Sequence, residues 1–414
     1  MSVDNHSLIE QLAKHLQRPI QNIVRTRSRL HLLDWLGCVA GARRSEIARI
    51  EAGFSADPAP YKAAWLGNVL EMDDVHRTAI LHPGPVVWPT VLAAGADVLD
   101  DALDAAVRGY EAMIAIGAML DGRHYAVWHN TATAGGFGAA AAAGFRLGAS
   151  EAQLVSALGL AGSVTGGFWQ MRHEPVMAKQ WHLAHAMRTG SEAARQAVAG
   201  ITGPRFILEG PQGLFAATCE APKPLELPDG WRIGEVSFKP WGACRHAHPV
   251  IDAALELKAK GALGGPVTVS TYRDALVFCD RPDPKTVIDA KFSLQHAVAI
   301  VMKRGVPQLA DFEPDAIAAL AWARALVRVV EGPEFTAAYP AHFGASVSTG
   351  KGTVSIVDTR GDPERPLSEE GVIEKARALM AWGGIGVSEA ESAIETVLEG
   401  ERVSDINRIL EGWL

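Results

Sequence analysis

The feature that most constrains the fold is a change of hydrophobic period near Pro228. Before it, apolar residues recur at helical spacing. Leu8, Leu12 and Leu16 follow Ser7, and Leu32, Leu33 and Leu36 mark a second helix running towards Gly41. Ser150 and Gln153 form a capping-box signature ahead of Leu154, Leu158 and Leu160. Residues 182–199 continue the pattern and end at Gly200 and Gly203, with Pro204 just beyond. After Pro228 short β-branched runs take over, at 236–238, 267–272 and 325–330. Residues 346–349 and 353–357 flank Gly350-Lys351-Gly352 as a hairpin would. Helical stretches at 286–303 and 314–325 interrupt these runs, and residues 368–414 return to helix after a polar break at 363–366. The expectation is a mainly α chain with a smaller α+β part. Residues 1–235, completed by 366–414, would form a large all-helical domain, with an α+β domain of residues 236–365 inserted in it.

The length of 414 residues exceeds one ordinary core and accommodates two such units. A net charge of −8 and the absence of any basic run exclude nucleic acid as the main partner. Attraction for an anionic substrate would have to be built locally from a few cations. Four scattered cysteines fit a reducing compartment better than a disulfide framework. The first eleven residues carry Asp4 and Glu10 and lack the apolar stretch of a signal peptide, and no run approaches the ~20 apolar residues of a membrane span. The expectation is a cytoplasmic protein with no membrane partner.

Histidine is the informative residue, and five segments place it beside lysine, aspartate or small residues. The first is Glu71-Met72-Asp73-Asp74-Val75-His76, followed by His82-Pro83-Gly84. Either an Asp caps backbone amides at a helix end, or one Asp orients a histidine suited to proton transfer near neutrality. The second, Trp128-His129-Asn130-Thr131, precedes a small-residue helix whose N-terminus could face a carboxylate. The plainer reading makes Asn130 or Thr131 its N-cap. The third runs from Met177 through Lys179 to His182, with His185 one turn on. Lys179 would anchor a carboxylate or, if burial lowers its pKa, act as a base. His182 and His185 have metal-ligand spacing but no HExxH pattern, so no metal is expected. The fourth clusters Lys239, Cys244, Arg245, His246 and His248, and the fifth carries Lys291 and His296 on a helical stretch. Gly135-Gly136-Phe137-Gly138 lacks both the spacing of a dinucleotide loop and a preceding strand.

In this order the five segments resemble the MmgE/PrpD family, whose members include dehydratases, decarboxylases and epimerases of small carboxylates. Thr202-Gly203-Pro204 and Leu208-Glu209-Gly210 fit as well, and the resemblance runs over essentially the whole chain. It implies an all-α domain with an inserted α+β lid, a homodimer, no organic cofactor, and an active site between the domains. Carried over by residue, Asp73 matches the acidic motif and His82 the histidine of the His-Pro turn. His129 matches the histidine before the Gly/Ala-rich helix, and Lys179 and Lys239 match two family lysines. Two positions depart from the pattern. Val75 stands where Thr is common, so a hydroxyl is missing unless Thr78 supplies it, and His296 stands where Tyr is common.

The expected activity is that of a cofactor-independent lyase, dehydrating a hydroxylated di- or tricarboxylate by proton abstraction next to a carboxylate. His82, His129, Asp73 and Lys179 would be catalytic. Lys239, His296, Arg245, His76 and His182 would bind substrate. The alternatives are an isomerase, epimerase or decarboxylase on a related dicarboxylate, and a non-catalytic carboxylate-binding protein.

Overall fold

The computed structural model describes residues 6–54, 56–174 and 176–414, and Asp4 lies outside them. The chain is mainly α with a smaller α+β part. It divides into two compact units. The first comprises Met1–Val69, Asp73–Val236 and Glu369–Leu414, and the second Leu70–Met72 and Ser237–Ser368.

The first unit is built from helices whose ends are set by local chemistry. Ser7 and Glu10 form a reciprocal capping box on Leu8–His15, and Ser150 and Gln153 form another on Glu151–Ser163. Asn22–Ala42 is buried on all sides from Leu30 onward, so it runs through the core rather than over it. Glu369–Trp382 returns to pack on it, and a Cβ at Gly37 would lie 3.0 Å from the Ala376 backbone. Between these helices Lys375 pairs with Asp34, both buried. The small residues of Asn130–Arg146 let it approach two neighbours closely. A Cβ at Gly190 of Ala178–Val198 would meet the Gly136 carbonyl oxygen at 2.4 Å. The glycines at 135–138 thus serve helix packing inside a helix, not a nucleotide loop.

The second unit carries a four-stranded sheet in the order Val327–Glu331, Val267–Thr271, Ala345–Thr349, Gly352–Ile356. The first pair is parallel and the others antiparallel, with Val269 opposite both Val329 and Val347. Helix His248–Ala259 packs on the sheet. Two details differ from the sequence expectation. The stretch 286–303 is two helices, Val287–Lys291 and Leu294–Arg304, because the Ser293 hydroxyl accepts the His296 N–H and starts a new helix. The stretch 314–325 likewise divides at Leu320. Among the described residues no helix is long and apolar enough to cross a membrane.

Candidate active site

The loop bearing Asp73 and His82 is closed by two main-chain bonds. His76 N–H donates to the Leu81 carbonyl (2.8 Å) and Leu81 N–H to the His76 carbonyl (3.3 Å). The turn between them holds Ile80 at φ 52°, a left-handed conformation that a β-branched residue rarely adopts. This closure sets residues 73 and 74 beside the His82-Pro83-Gly84 turn at the start of helix Gly84–Leu92.

His82 Nδ1 lies 2.8 Å from Asp73 Oδ2 and 3.1 Å from the Asp74 carbonyl oxygen. Both neighbours only accept, so Nδ1 carries the proton and the lone pair of the neutral ring is on Nε2. That is the tautomer a general base needs. Asn68 Nδ2 donates to the other Asp73 oxygen at 2.7 Å. The His82 amide donates to Thr131 Oγ1 at 3.1 Å. Asp73 is buried, whereas the His82 side chain keeps 15% of its surface exposed. The His82 ring can therefore be reached from solvent while the carboxylate beside it is shielded.

Asp74 has a different role from Asp73. Its carboxylate accepts from Gly84 N–H (2.9 Å), Tyr110 O–H (2.6 Å) and His31 Nδ1 (2.7 Å). Burial pushes its carboxyl up to about 6, against the lowering effect of the Tyr110 and Gly84 bonds. Asp73 thus lies at ion-pair distance from His82 Nδ1, and Asp74 accepts the Gly84 amide.

His129 is the N-cap residue of Asn130–Arg146, in place of the expected Asn130 or Thr131, and its side chain makes no capping bond. Its Nδ1 lies 3.2 Å from His182 Nδ1, so one ring donates and the other accepts. Trp169 packs on the His129 ring with centroids 4.4 Å apart, and the Arg172 guanidinium sits 4.8 Å over the same indole. Burial lowers the His129 pKa well below its usual value, and His182, Lys179, His82 and Arg172 push it further down. Burial also lowers the His182 pKa, so Lys179 and Arg172 are the cations of this neighbourhood and the two rings stay neutral near pH 7. Lys179 is half-buried in the first turn of Ala178–Val198, where the helix dipole adds to the positive field.

Several predicted ligands are occupied by the fold. His76 Nε2 lies 2.9 Å from Glu235, while its Nδ1 accepts the Ala79 amide at 3.1 Å. Both ring nitrogens are thus engaged, and His76 braces the loop. His296 differs from its expected role in the same way: Nε2 donates to the Asp311 carbonyl (2.9 Å) and Nδ1 accepts from Arg324 (3.3 Å). Burial lowers its pKa to about 4. Arg245 is buried against Asp362 and lies over Phe343, so its charge is compensated inside the second unit. Lys239 is buried with Nζ 3.6 Å from Glu71, and a substrate carboxylate would have to compete with that partner. Thr78 is exposed, and the hydroxyl that contacts His82 is Thr131's.

His246 Nδ1 bonds the Tyr272 hydroxyl and His248 Nε2 bonds the Ala243 carbonyl. Among the described residues, the group with metal-ligand spacing is His342, Asp358 and Glu364 in the second unit. Asn68, His31, Tyr110, Trp169 and Arg172 escaped the sequence reading, and Thr131 was read only as a possible N-cap. Arg172 and Trp169 lie seven and ten residues before Lys179, and that nearness to a candidate segment was their one visible signal.

The MmgE/PrpD N-terminal domain profile matches residues 51–226 and the MmgE/PrpD C-terminal domain profile residues 241–400. A human cis-aconitate decarboxylase is 27% identical over 389 residues, covering 84% of this chain and 78% of that protein. A cis-aconitate decarboxylase-like protein of Aspergillus oryzae is 30% identical over 180 residues, covering 39% of this chain and 37% of its own length. Both halves of the family match in order along one chain, and the chain belongs to the MmgE/PrpD family.

Proposed function

We propose that this chain is a lyase of small di- or tricarboxylates whose first step is proton removal from carbon next to a carboxylate. The observation that carries the reading is the meeting of His82, in a base-competent tautomer, with the cations around His129. Removing such a proton builds negative charge on the carboxylate oxygens, and preorganised cations stabilise that charge where water is excluded. His82 Nε2 takes the proton, and Asp73 stabilises the resulting imidazolium. Lys179 and Arg172 hold substrate carboxylates. In a dehydration the β C–O bond then breaks, and hydroxide leaves as water with a proton from the imidazole side of the site.

The second reading is decarboxylation, and it rests on the decarboxylase relative that spans most of the chain. In that case the bond to a carboxylate carbon breaks, carbon dioxide leaves with the electron pair left on the adjacent carbon, and His82, entering as the imidazolium, gives its Nε2 proton to that carbon. The discriminating experiment offers purified protein a panel of citrate-like hydroxy acids and unsaturated tricarboxylates. Dehydration gives the ultraviolet absorbance of a conjugated alkene, and decarboxylation gives carbon dioxide. Neither signal from any acid in the panel would overturn the lyase reading.

The family relation also supports a homodimer. Ile50, Met177 and Trp181 are exposed around an apolar cavity of about 340 Å³ in the first unit, as expected of a surface that a second copy covers. Light scattering after gel filtration reads the mass directly, and a value of one 44.1 kDa chain would exclude the dimer.

A further inference from the structure

We propose that Asp74, held by Tyr110 and His31, is a positioning residue that fixes the tautomer and placement of His82. The inference rests on the reading of His82 as the base. Asp74 reaches the His82-Pro83-Gly84 turn twice. Its carboxylate Oδ1 accepts the Gly84 amide at 2.9 Å, and its main-chain oxygen accepts from His82 Nδ1 at 3.1 Å. The turn and the imidazole are therefore referenced to one residue. That residue is immobilised from behind, because Oδ2 accepts from both Tyr110 O–H and His31 Nδ1. Tyr110 is in turn fixed by Trp88 Nε1 at 2.9 Å, and all of these side chains are buried. A Cβ at residue 84 would stand 2.7 Å from Asp74 Oδ1 and 3.1 Å from the Tyr110 hydroxyl, so the cluster closes around a position with no room for a side chain.

Asp73 alone would leave the His82 ring free to swing about one contact. The second acceptor, the Asp74 carbonyl, defines the ring plane and keeps Nε2 the unprotonated nitrogen. Its position depends on the Asp74 carboxylate cluster. Loss of one donor to that cluster should loosen the carbonyl, mix the His82 tautomers and lower turnover without weakening substrate binding.

The test is ¹⁵N NMR of histidine-labelled full-length protein, with the His82 signals assigned by their loss in His82→Gln. The wild type should show a protonated Nδ1 and an unprotonated Nε2. Tyr110→Phe removes one donor and keeps the ring. It is expected to shift both His82 nitrogens towards a tautomer average and to lower kcat about 10- to 100-fold with KM within about twofold. Gly84→Ala disturbs the same carboxylate from the other side and should act alike. Thr90→Val removes a buried hydroxyl bond on the same helix, to the Val86 carbonyl, and should leave the His82 signals unchanged. A folded Tyr110→Phe or Gly84→Ala variant with the wild-type His82 pattern overturns the proposal. Unfolding of both variants also overturns it, since the cluster would then serve folding rather than positioning. The NMR readout needs no substrate, so it separates failure of this inference from failure of the lyase reading.

Discussion

The Nδ1 of His82 stands between two acceptors, Asp73 Oδ2 at 2.8 Å and the Asp74 carbonyl oxygen at 3.1 Å. One acceptor would orient the ring, and two decide which nitrogen holds the proton. The remaining nitrogen, on a side chain that keeps 15% of its surface exposed, carries the lone pair of the neutral ring.

His82→Gln should lower kcat about 10²- to 10⁴-fold, the usual contribution of a positioned acid or base. The melting temperature should stay within a few degrees, because the side chain is partly exposed. Asp73→Asn keeps the shape but offers a donor to His82 Nδ1 in one amide orientation, and it should cost about 10- to 100-fold in kcat. Steady-state kinetics on the substrate found by the acid panel, with differential scanning fluorimetry alongside, checks both. Full activity in His82→Gln would remove it from the chemistry.

Arg172→Ala and Lys179→Ala should act on binding. A charge-assisted hydrogen bond is worth about 1.5–3 kcal/mol, so each loss should raise KM roughly 10- to 150-fold. Arg172→Lys should recover only part, since a point charge replaces a planar fork. Unchanged KM in Arg172→Ala would place that guanidinium outside the substrate site.

The buried pair of Asp34 and Lys375 ties helix Glu369–Trp382 to helix Asn22–Ala42. Removing one partner leaves a buried charge uncompensated, and Asp34→Ala should cost about 3–5 kcal/mol in urea unfolding. Asp34→Ala combined with Lys375→Met should recover most of that loss. A double variant as unstable as the single one would refute the pairing as the cause.

His296 makes a pH prediction with a definite sign. Its pKa falls from 6.5 unfolded to about 4 folded, chiefly through burial. A depressed histidine contributes stability that is present above 6.5 and lost as pH falls through 4. Over that window the loss amounts to roughly 3 kcal/mol, with a slope of at most about 1.4 kcal/mol per pH unit. His296→Gln should flatten the stability profile between pH 6.5 and 4 by that slope. Parallel profiles for variant and wild type would exclude His296 as the titrating group.

The division into helical and strand-bearing stretches was legible because it is written locally. Ser7 with Glu10, Ser150 with Gln153, and the period-two runs around Val269 and Val347 each act over a few residues. Asp73 and His82 were legible as partners for the same reason, since one short loop carries both. The break before Leu294 was not, because a serine that caps and a serine within a helix look alike until the chain bends.

The sequence by itself determined the family, the mainly α class with its α+β part, and the short list of histidines and lysines from which a proton-transfer site could be drawn. Only the tertiary structure decided what each of them does. It committed His76 to Glu235, His296 to Asp311, and Lys239 to Glu71. It also brought Asn68, Tyr110, His31 and Arg172 to the residues around His82 and His129. The physical reason is that a side chain's role depends on which donors and acceptors reach it, and most of these come from segments remote in the chain. His82 was identifiable as a candidate from its neighbours in sequence; its tautomer comes from its neighbours in space.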